Sequence, residues 1–174
     1  MAADAPPEVD AVIALGANLG DRADTISKAV LELAETFGIE VIAVSPTVET
    51  IALRPAGPDA QAPRYLNAVV LVRTFLSPEA LLAVLHDVEA AHGRERTEHW
   101  GDRTLDLDIV SYGDLEQQTD DLTIPHPRAH ERDFVLRPWL AVDPDAVLPG
   151  HGSVAELLAR LDAAPHPKLS GGAE

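Results

Sequence analysis

With 174 residues, 46% of them hydrophobic, the chain has the size of one domain and enough apolar content to bury a proper core. It contains no cysteine, which excludes disulfides and thiolate metal sites and agrees with a cytoplasmic location. A net charge of -16 argues against nucleic acid or an anionic membrane as partner, and neither a bilayer-length apolar run nor a secretory signal pattern is present.

Residues 1–8, rich in Ala and Pro, read as a disordered lead-in to a single domain over residues 9–163. Val9 to Leu15 has strand character. Gly16-Ala-Asn-Leu-Gly-Asp21 then gives a turn with Asp21 as helix N-cap. Ile26, Ala29, Val30, Leu33, Ala34 and Phe37 recur at helical spacing, and Gly38 closes that helix. Glu40 to Val48 is β-branched and reads as a second strand, and Thr50 to Pro63, with three Pro and one Gly, as a long loop. Tyr65 to Thr74 is a third strand. Ser77-Pro78 opens a helix whose stripe is Leu81, Leu82, Leu85 and Val88, running to about His92.

A polar loop over residues 93–102 leads into Arg103-Thr-Leu-Asp-Leu-Asp-Ile109, where apolar residues alternate with Asp106 and Asp108. That period of two places Leu105, Leu107 and Ile109 towards a core and both carboxylates on the opposite face. Residues 114–121 read as a polar turn, Leu122 to Pro125 as a short extended piece, and His126 to Arg132 as irregular or a single turn. Phe134 to Val142 reads as helical, Ser153 to Leu161 as a Ser-capped last helix, and residues 164–174 as a loose tail. The strand-helix-strand order, twice over, predicts an α+β sandwich with helices packed on one sheet, of the ferredoxin-like double βαβ kind.

Same-face neighbours on a strand stand about 6.5–7 Å apart, so the side chains of Asp106 and Asp108 can converge on one or two hard cations. Two anions so close require a positive group between them, either Mg²⁺ or an Arg. Six of the 13 Lys and Arg lie between residues 94 and 137: Arg94, Arg96, Arg103, Arg128, Arg132 and Arg137. An acidic chain that gathers arginines around a carboxylate pair suits a metal-bound polyphosphate, whose oxygens match the planar Arg fork. Trp100, in so polar a loop, is either a flap folded on the body or a ligand-stacking ring.

Tyr65 and Asn67 share a strand face. An amide offers both donor and acceptor to the edge of a nitrogen heterocycle, and the Tyr ring can lie against its plane. His126, Arg128, Arg132 and Phe134 add further polar and aromatic groups. Gly16 and Gly20 do not make a Walker loop, since no Gly-Lys-Ser/Thr follows, and they read as a tight strand-to-helix turn. His86, His92 and His99 lack zinc-ligand spacing.

Taken together, Ala14-Leu-Gly-Ala-Asn-Leu-Gly-Asp21, Tyr65-Leu-Asn-Ala68, Gly93-Arg-Glu-Arg96, Trp100-Gly-Asp-Arg-Thr-Leu-Asp-Leu-Asp-Ile109 and Ile124-Pro-His-Pro127 with Phe134-Val-Leu136 resemble the 6-hydroxymethyl-7,8-dihydropterin pyrophosphokinase family. The resemblance spans roughly Val9 to Leu161. It implies transfer of the β,γ-diphosphate of ATP to the pterin hydroxymethyl group, with AMP as the other product, in folate biosynthesis. Asp106 and Asp108 would bind two Mg²⁺, and Arg94, Arg96 and Arg103 would close over the triphosphate. Arg132 and His126 would also hold ATP, with Glu89, Ile109, Leu122 and Thr123 lining the nucleotide pocket. The pterin would lie between Tyr65 and Phe134, read by Asn67 and by the backbone near Thr50 and Leu53, with Trp100 closing over it.

The chain departs from the family pattern at Ala17, His99, Asp102 and Thr50-Ile-Ala52, where Ser, Arg, Pro and Thr-Pro-Pro are common. None of these changes touches the aspartates. A non-catalytic pterin- or nucleotide-binding homologue of the same fold is the alternative. A monomer is expected.

Overall fold

The computed structural model describes residues 4–18, 20–50, 53–54, 57–58, 64–93 and 104–164. In chain order they form β1 (Val9–Ala17), α1 (Arg22–Glu35), β2 (Ile39–Val44), β3 (Val48–Thr50), β4 (Leu53–Arg54), β5 (Gly57–Pro58), β6 (Tyr65–Thr74), α2 (Pro78–Ala91) and β7 (Asp106–Tyr112). There follow β8 (Gln117–Gln118), β9 (Thr123–Ile124), a single 3-10 turn at Ala129–Glu131, α3 (Asp133–Val142), β10 (Val147–Leu148), β11 (Gly152–Ser153) and α4 (Val154–Ala163).

The main sheet has the lateral order β2-β6-β1-β7, with β3 also pairing β6, and every pairing is antiparallel. Alternation along β1 decides which side chain meets which layer. Ala11, Ile13 and Leu15 join Leu107 and Ile109 against Ile26, Ala29 and Leu33 of α1 and Leu81, Leu85 and Val88 of α2. On the other face Val12, Val69 and Val110 pack with Val135, Leu136 and Trp139 of α3 and with Val154 and Leu157 of α4. Helices therefore cover both faces, which is why β6 reads as a nearly unbroken apolar run. No described helix is long and apolar enough to cross a membrane.

Helix starts follow their caps. Asp21 accepts from the Asp24 amide at 3.0 Å, Ser77 from Ala80 at 3.1 Å and Ser153 from Glu156 at 3.4 Å. Helix α1 stops at Glu35 rather than at Gly38, because the Thr36 hydroxyl turns back on the Glu32 carbonyl at 2.7 Å. Phe37 therefore leaves the helical stripe, is 85% exposed, and meets Phe75 edge-on at 5.3 Å.

The strand expected over 40–48 is two strands. Pro46 has no amide to donate, and at Ser45 the backbone instead takes the Val69 carbonyl at 2.9 Å while its hydroxyl accepts the Val69 amide at 2.8 Å. The polar turn at 114–121 contains β8, which pairs with β9. Within the expected loop at 50–63, Leu53–Arg54 pairs with Gly57–Pro58. Thr50 ends β3, whereas residues 51–52, 55–56 and 59–63 of that loop, residues 1–3 of the lead-in, the loop at 94–103 and the tail from 165 lie outside the described residues.

Leu136 is fully buried between the sheet and α4, whereas Leu31 on α1 is 61% exposed. Denaturant unfolding should show Leu136→Ala costing about 2–5 kcal/mol and Leu31→Ala no more than about 0.5 kcal/mol.

Candidate active site

Strand register assembles the site. Gly16 of β1 is paired with Asn67 of β6 on one side and with Asp106 of β7 on the other. Ala14 is likewise flanked by Val69 and Asp108. Residues paired across antiparallel strands share a face, so Asn67, Gly16 and Asp106 form a row. With strands about 4.8 Å apart, the amide and the carboxylate positions are about 10 Å from each other. Between them the floor is a glycine.

A cavity of about 220 Å³ stands over this row. Its floor is Ala14, Leu15, Gly16 and Ala68; Thr50, Tyr65 and Asn67 make one side, and Asp106 and Asp108 the other. Arg132, Phe134 and Val135, at and just before the start of α3, overhang it. A Cβ placed on Gly16 would sit 3.3 Å from Asn67 Oδ1 and 3.7 Å from the Tyr65 ring. Any side chain there would fill the floor.

Asn67 is buried, and its amide has one orientation. Nδ2 donates to Thr50 Oγ1 at 2.8 Å and leans towards the Val48 carbonyl at 3.4 Å, an oxygen that can only accept. Oδ1 is thereby the atom turned to the cavity, and it asks for an N–H. Tyr65, two residues back on the same face, supplies a flat apolar wall.

At the other end the charges are arranged around Arg132. Its guanidinium lies 5.6 Å from the centre of the Phe134 ring. Burial lowers its pKa, opposed by the negative charges of Asp108 and Asp106. His126 is lowered as well: burial contributes most, Asp108 works against it, and Arg132 and Arg128 add to it. The Arg128 amide donates to His126 Nδ1 at 3.1 Å, so the neutral ring carries its proton on Nε2.

The structure thus brings together Thr50, Tyr65, Asn67, Asp106, Asp108, Arg132 and Phe134 of the sequence-derived set. His126 stands beside the cavity rather than in its wall. Glu89 is buried on α2, and Ile109 lies in the core beneath the sheet, where Leu122 also packs. With Thr123 on β9, these four gather towards β7 and α2, away from the cavity. Arg94, Arg96, Trp100 and Arg103, and the side chain of Leu53, lie outside the described residues. Sequence reasoning gave Gly16 to a turn, and quoted Ala14, Leu15, Ala68 and Val135 within the family motifs without giving them a place in the site. Gly16 is in fact the penultimate residue of β1, and the turn glycine is Gly20, with φ 66°.

The profile of the family described as 7,8-dihydro-6-hydroxymethylpterin-pyrophosphokinase matches residues 12–144, a span that contains every cavity residue. The chain belongs to this pyrophosphokinase family. It is 42% identical over 153 residues to the 2-amino-4-hydroxy-6-hydroxymethyldihydropteridine pyrophosphokinase of Synechocystis sp., covering 87% of this chain and 76% of that protein. The enzyme of the same name from Haemophilus influenzae is 38% identical, with 86% and 91% covered.

Among solved structures, an HPPK-DHPS in complex with substrates superposes with a TM-score of 0.69 at 14% identity, over 88% of this chain. The Plasmodium falciparum HPPK-DHPS A437G with STZ-DHP gives a TM-score of 0.68 at 15% identity, over 90% of this chain. The chain spans less than half of these solved proteins, 43% and 46% of their lengths. At such identities they attest the pyrophosphokinase fold alone.

Because the folded pKa of His126 lies below its ordinary value of 6.5, folding favours the neutral ring. Its stabilising contribution is complete above that ordinary value and is lost as pH falls through the folded pKa. Urea midpoints measured downward from pH 7 should therefore fall more steeply for the wild type than for His126→Asn, the two curves converging in slope above neutrality.

Proposed function

We propose that this protein transfers the diphosphate of ATP to the hydroxymethyl oxygen of 6-hydroxymethyl-7,8-dihydropterin, releasing AMP and the pterin diphosphate, as a step in folate biosynthesis. The observation that carries the proposal is the row Asn67-Gly16-Asp106, a heterocycle-reading amide and a carboxylate pair separated by a bare strand. Two strand spacings, about 10 Å from backbone to backbone, leave room between the two ends for a flat bicyclic ring and its exocyclic carbon.

The pterin lies flat on Gly16 between Tyr65 and Phe134, giving a ring N–H to Asn67 Oδ1. Thr50, Leu53 and Trp100 complete its surroundings. Asp106 and Asp108 present only hard oxygen donors, which fits Mg²⁺. Among the described residues no group of three or more His, Cys, Asp or Glu could hold a metal ion. Two carboxylates are the number suited to ions that arrive with a nucleotide and keep phosphate and water ligands. When bound, two Mg²⁺ would neutralise charge developing on the β-phosphate and acidify the attacking hydroxyl.

The residues of the chain do the rest. Arg132, with Arg94, Arg96 and Arg103, holds the triphosphate oxygens, and His126 donates from Nε2. Glu89, Ile109, Leu122 and Thr123 line the nucleotide side beyond β7. The hydroxymethyl oxygen bonds to the β-phosphorus, the bridge to the α-phosphate breaks, and Asp108 takes the hydroxyl proton. Arg94, Arg96, Arg103, Asp106 and Asp108 are the catalytic set.

The order β2-β6-β1-β7, with a helix after β1 and another after β6, supports a ferredoxin-like double unit over residues 9–163. The cysteine-free composition is in keeping with a cytoplasmic enzyme, which we take to act as a monomer.

Product analysis with ATP, Mg²⁺ and the pterin tests the reading. Wild type should give AMP, and both Asp106→Ala and Asp108→Asn should lower turnover by about 100-fold or more. ADP as product would overturn the assignment of the bond broken, and bound substrates without product would leave a binding protein. In the same assay Gly16→Val should raise the pterin KM about 10-fold, with the KM for ATP little changed.

A further inference from the structure

We propose that Glu49 is a positioning residue for the heterocycle end of the cavity, acting through Thr50 on Asn67 while touching no substrate itself. The inference rests on reading that cavity as the pterin site.

Strand β3 has three residues and hangs on β6 at Val48↔Asn67, Glu49↔Leu66 and Thr50↔Tyr65. So short a strand has little ladder of its own. Yet its residues orient the reading amide, since Asn67 Nδ2 is held by Thr50 Oγ1 at 2.8 Å and lies 3.4 Å from the Val48 carbonyl. By alternation Val48 and Thr50 face Asn67, and Glu49 points to the opposite side, opposite buried Leu66 and towards α1.

There both carboxylate oxygens of Glu49 are engaged. Arg22 Nη2 donates to Oε1 at 3.0 Å, and Arg64 Nη1 stands 3.8 Å from Oε2. Arg22 Nη1 also donates to the Arg64 carbonyl at 2.5 Å. One guanidinium thus grips both β3 and the residue entering β6. Arg22 is itself fixed as the first residue of α1, next to its Asp21 cap.

The fork geometry suits arginine, whose two Nη groups each reach an acceptor on a different segment from one planar head. Arg22 is the most enclosed of the three, with 28% of its side chain exposed, against 47% for Glu49 and 63% for Arg64. Partly exposed ion pairs are individually weak, so the tether tunes placement of Thr50 without holding the fold together. If Thr50 drifts, Asn67 Nδ2 loses its partner and Oδ1 its fixed aim into the cavity.

The test is a double-mutant cycle of Arg22→Ala and Glu49→Ala, with steady-state kinetics in both substrates and NMR of the Asn67 side-chain amide in the ligand-free protein. Each single variant should raise the pterin KM about 5-fold, leave kcat and the KM for ATP unchanged, and shift the Asn67 amide signals. The double variant should be no worse than either single one. An unchanged pterin KM, equal effects on both substrates, or additive losses in the double variant would overturn the proposal. Failure of the wild type to use the pterin would refute the substrate reading instead, and the Asn67 signals alone would then decide the tether: unmoved signals overturn it.

Discussion

The antiparallel pairing of β1 with β6 and β7 is the constraint on which everything else here depends. A shift of one residue in either ladder would turn Asn67 or the aspartates to the other face, into the layer of α1 and α2. Register is held by the burial of alternate residues on both faces, where Ile13 and Val69 are wholly inaccessible. Core packing and site geometry are therefore one specification. The residues that bury Ala11, Ile13 and Leu15 below the sheet place Ala14 and Gly16 above it.

Charge follows a second logic. A chain of net charge -16 gains nothing in general attraction for polyphosphate. The attraction has to be local, and Arg132 is the described residue that supplies it within the cavity. Its partial burial costs solvation, which the two aspartates offset in part. His126 resolves the same conflict by staying neutral beside two arginines, keeping an N–H on Nε2 without adding a buried charge.

Much of this was legible in the chain itself. Caps at Asp21, Ser77 and Ser153 gave the helix starts, and alternation gave the opposite faces of Leu107 and Asp108. Those signals are local, carried by neighbours in sequence. Non-local pairing was not visible. The role of Gly16 depends on Asn67 and Asp106, residues 51 and 90 positions away, brought opposite it only by the ladders. The break at Ser45-Pro46 depends equally on a partner, since the Ser45 hydroxyl replaces a ladder bond to Val69. Helix coverage of both faces could not be read from the amphipathic stripes, which show that a helix packs but not on which side.

The two faces of the sheet also divide the work. Beneath it, α1 and α2 bury a continuous apolar layer that runs to Ala17 and Leu105 at the cavity end. Above it, α3 and α4 cover Val12, Val69 and Val110, and at the cavity end, among the described residues, Arg132, Phe134 and Val135 reach over. The end that α3 and α4 leave open coincides with Gly16 and Ala14, where β1 has almost no side chain with which to demand cover. An opening there removes little apolar contact, and a flat aromatic ligand can supply what is missing. The small residues thus settle where the layer of α3 and α4 stops, and the site lies where the fold loses least by withdrawing its helices from the sheet.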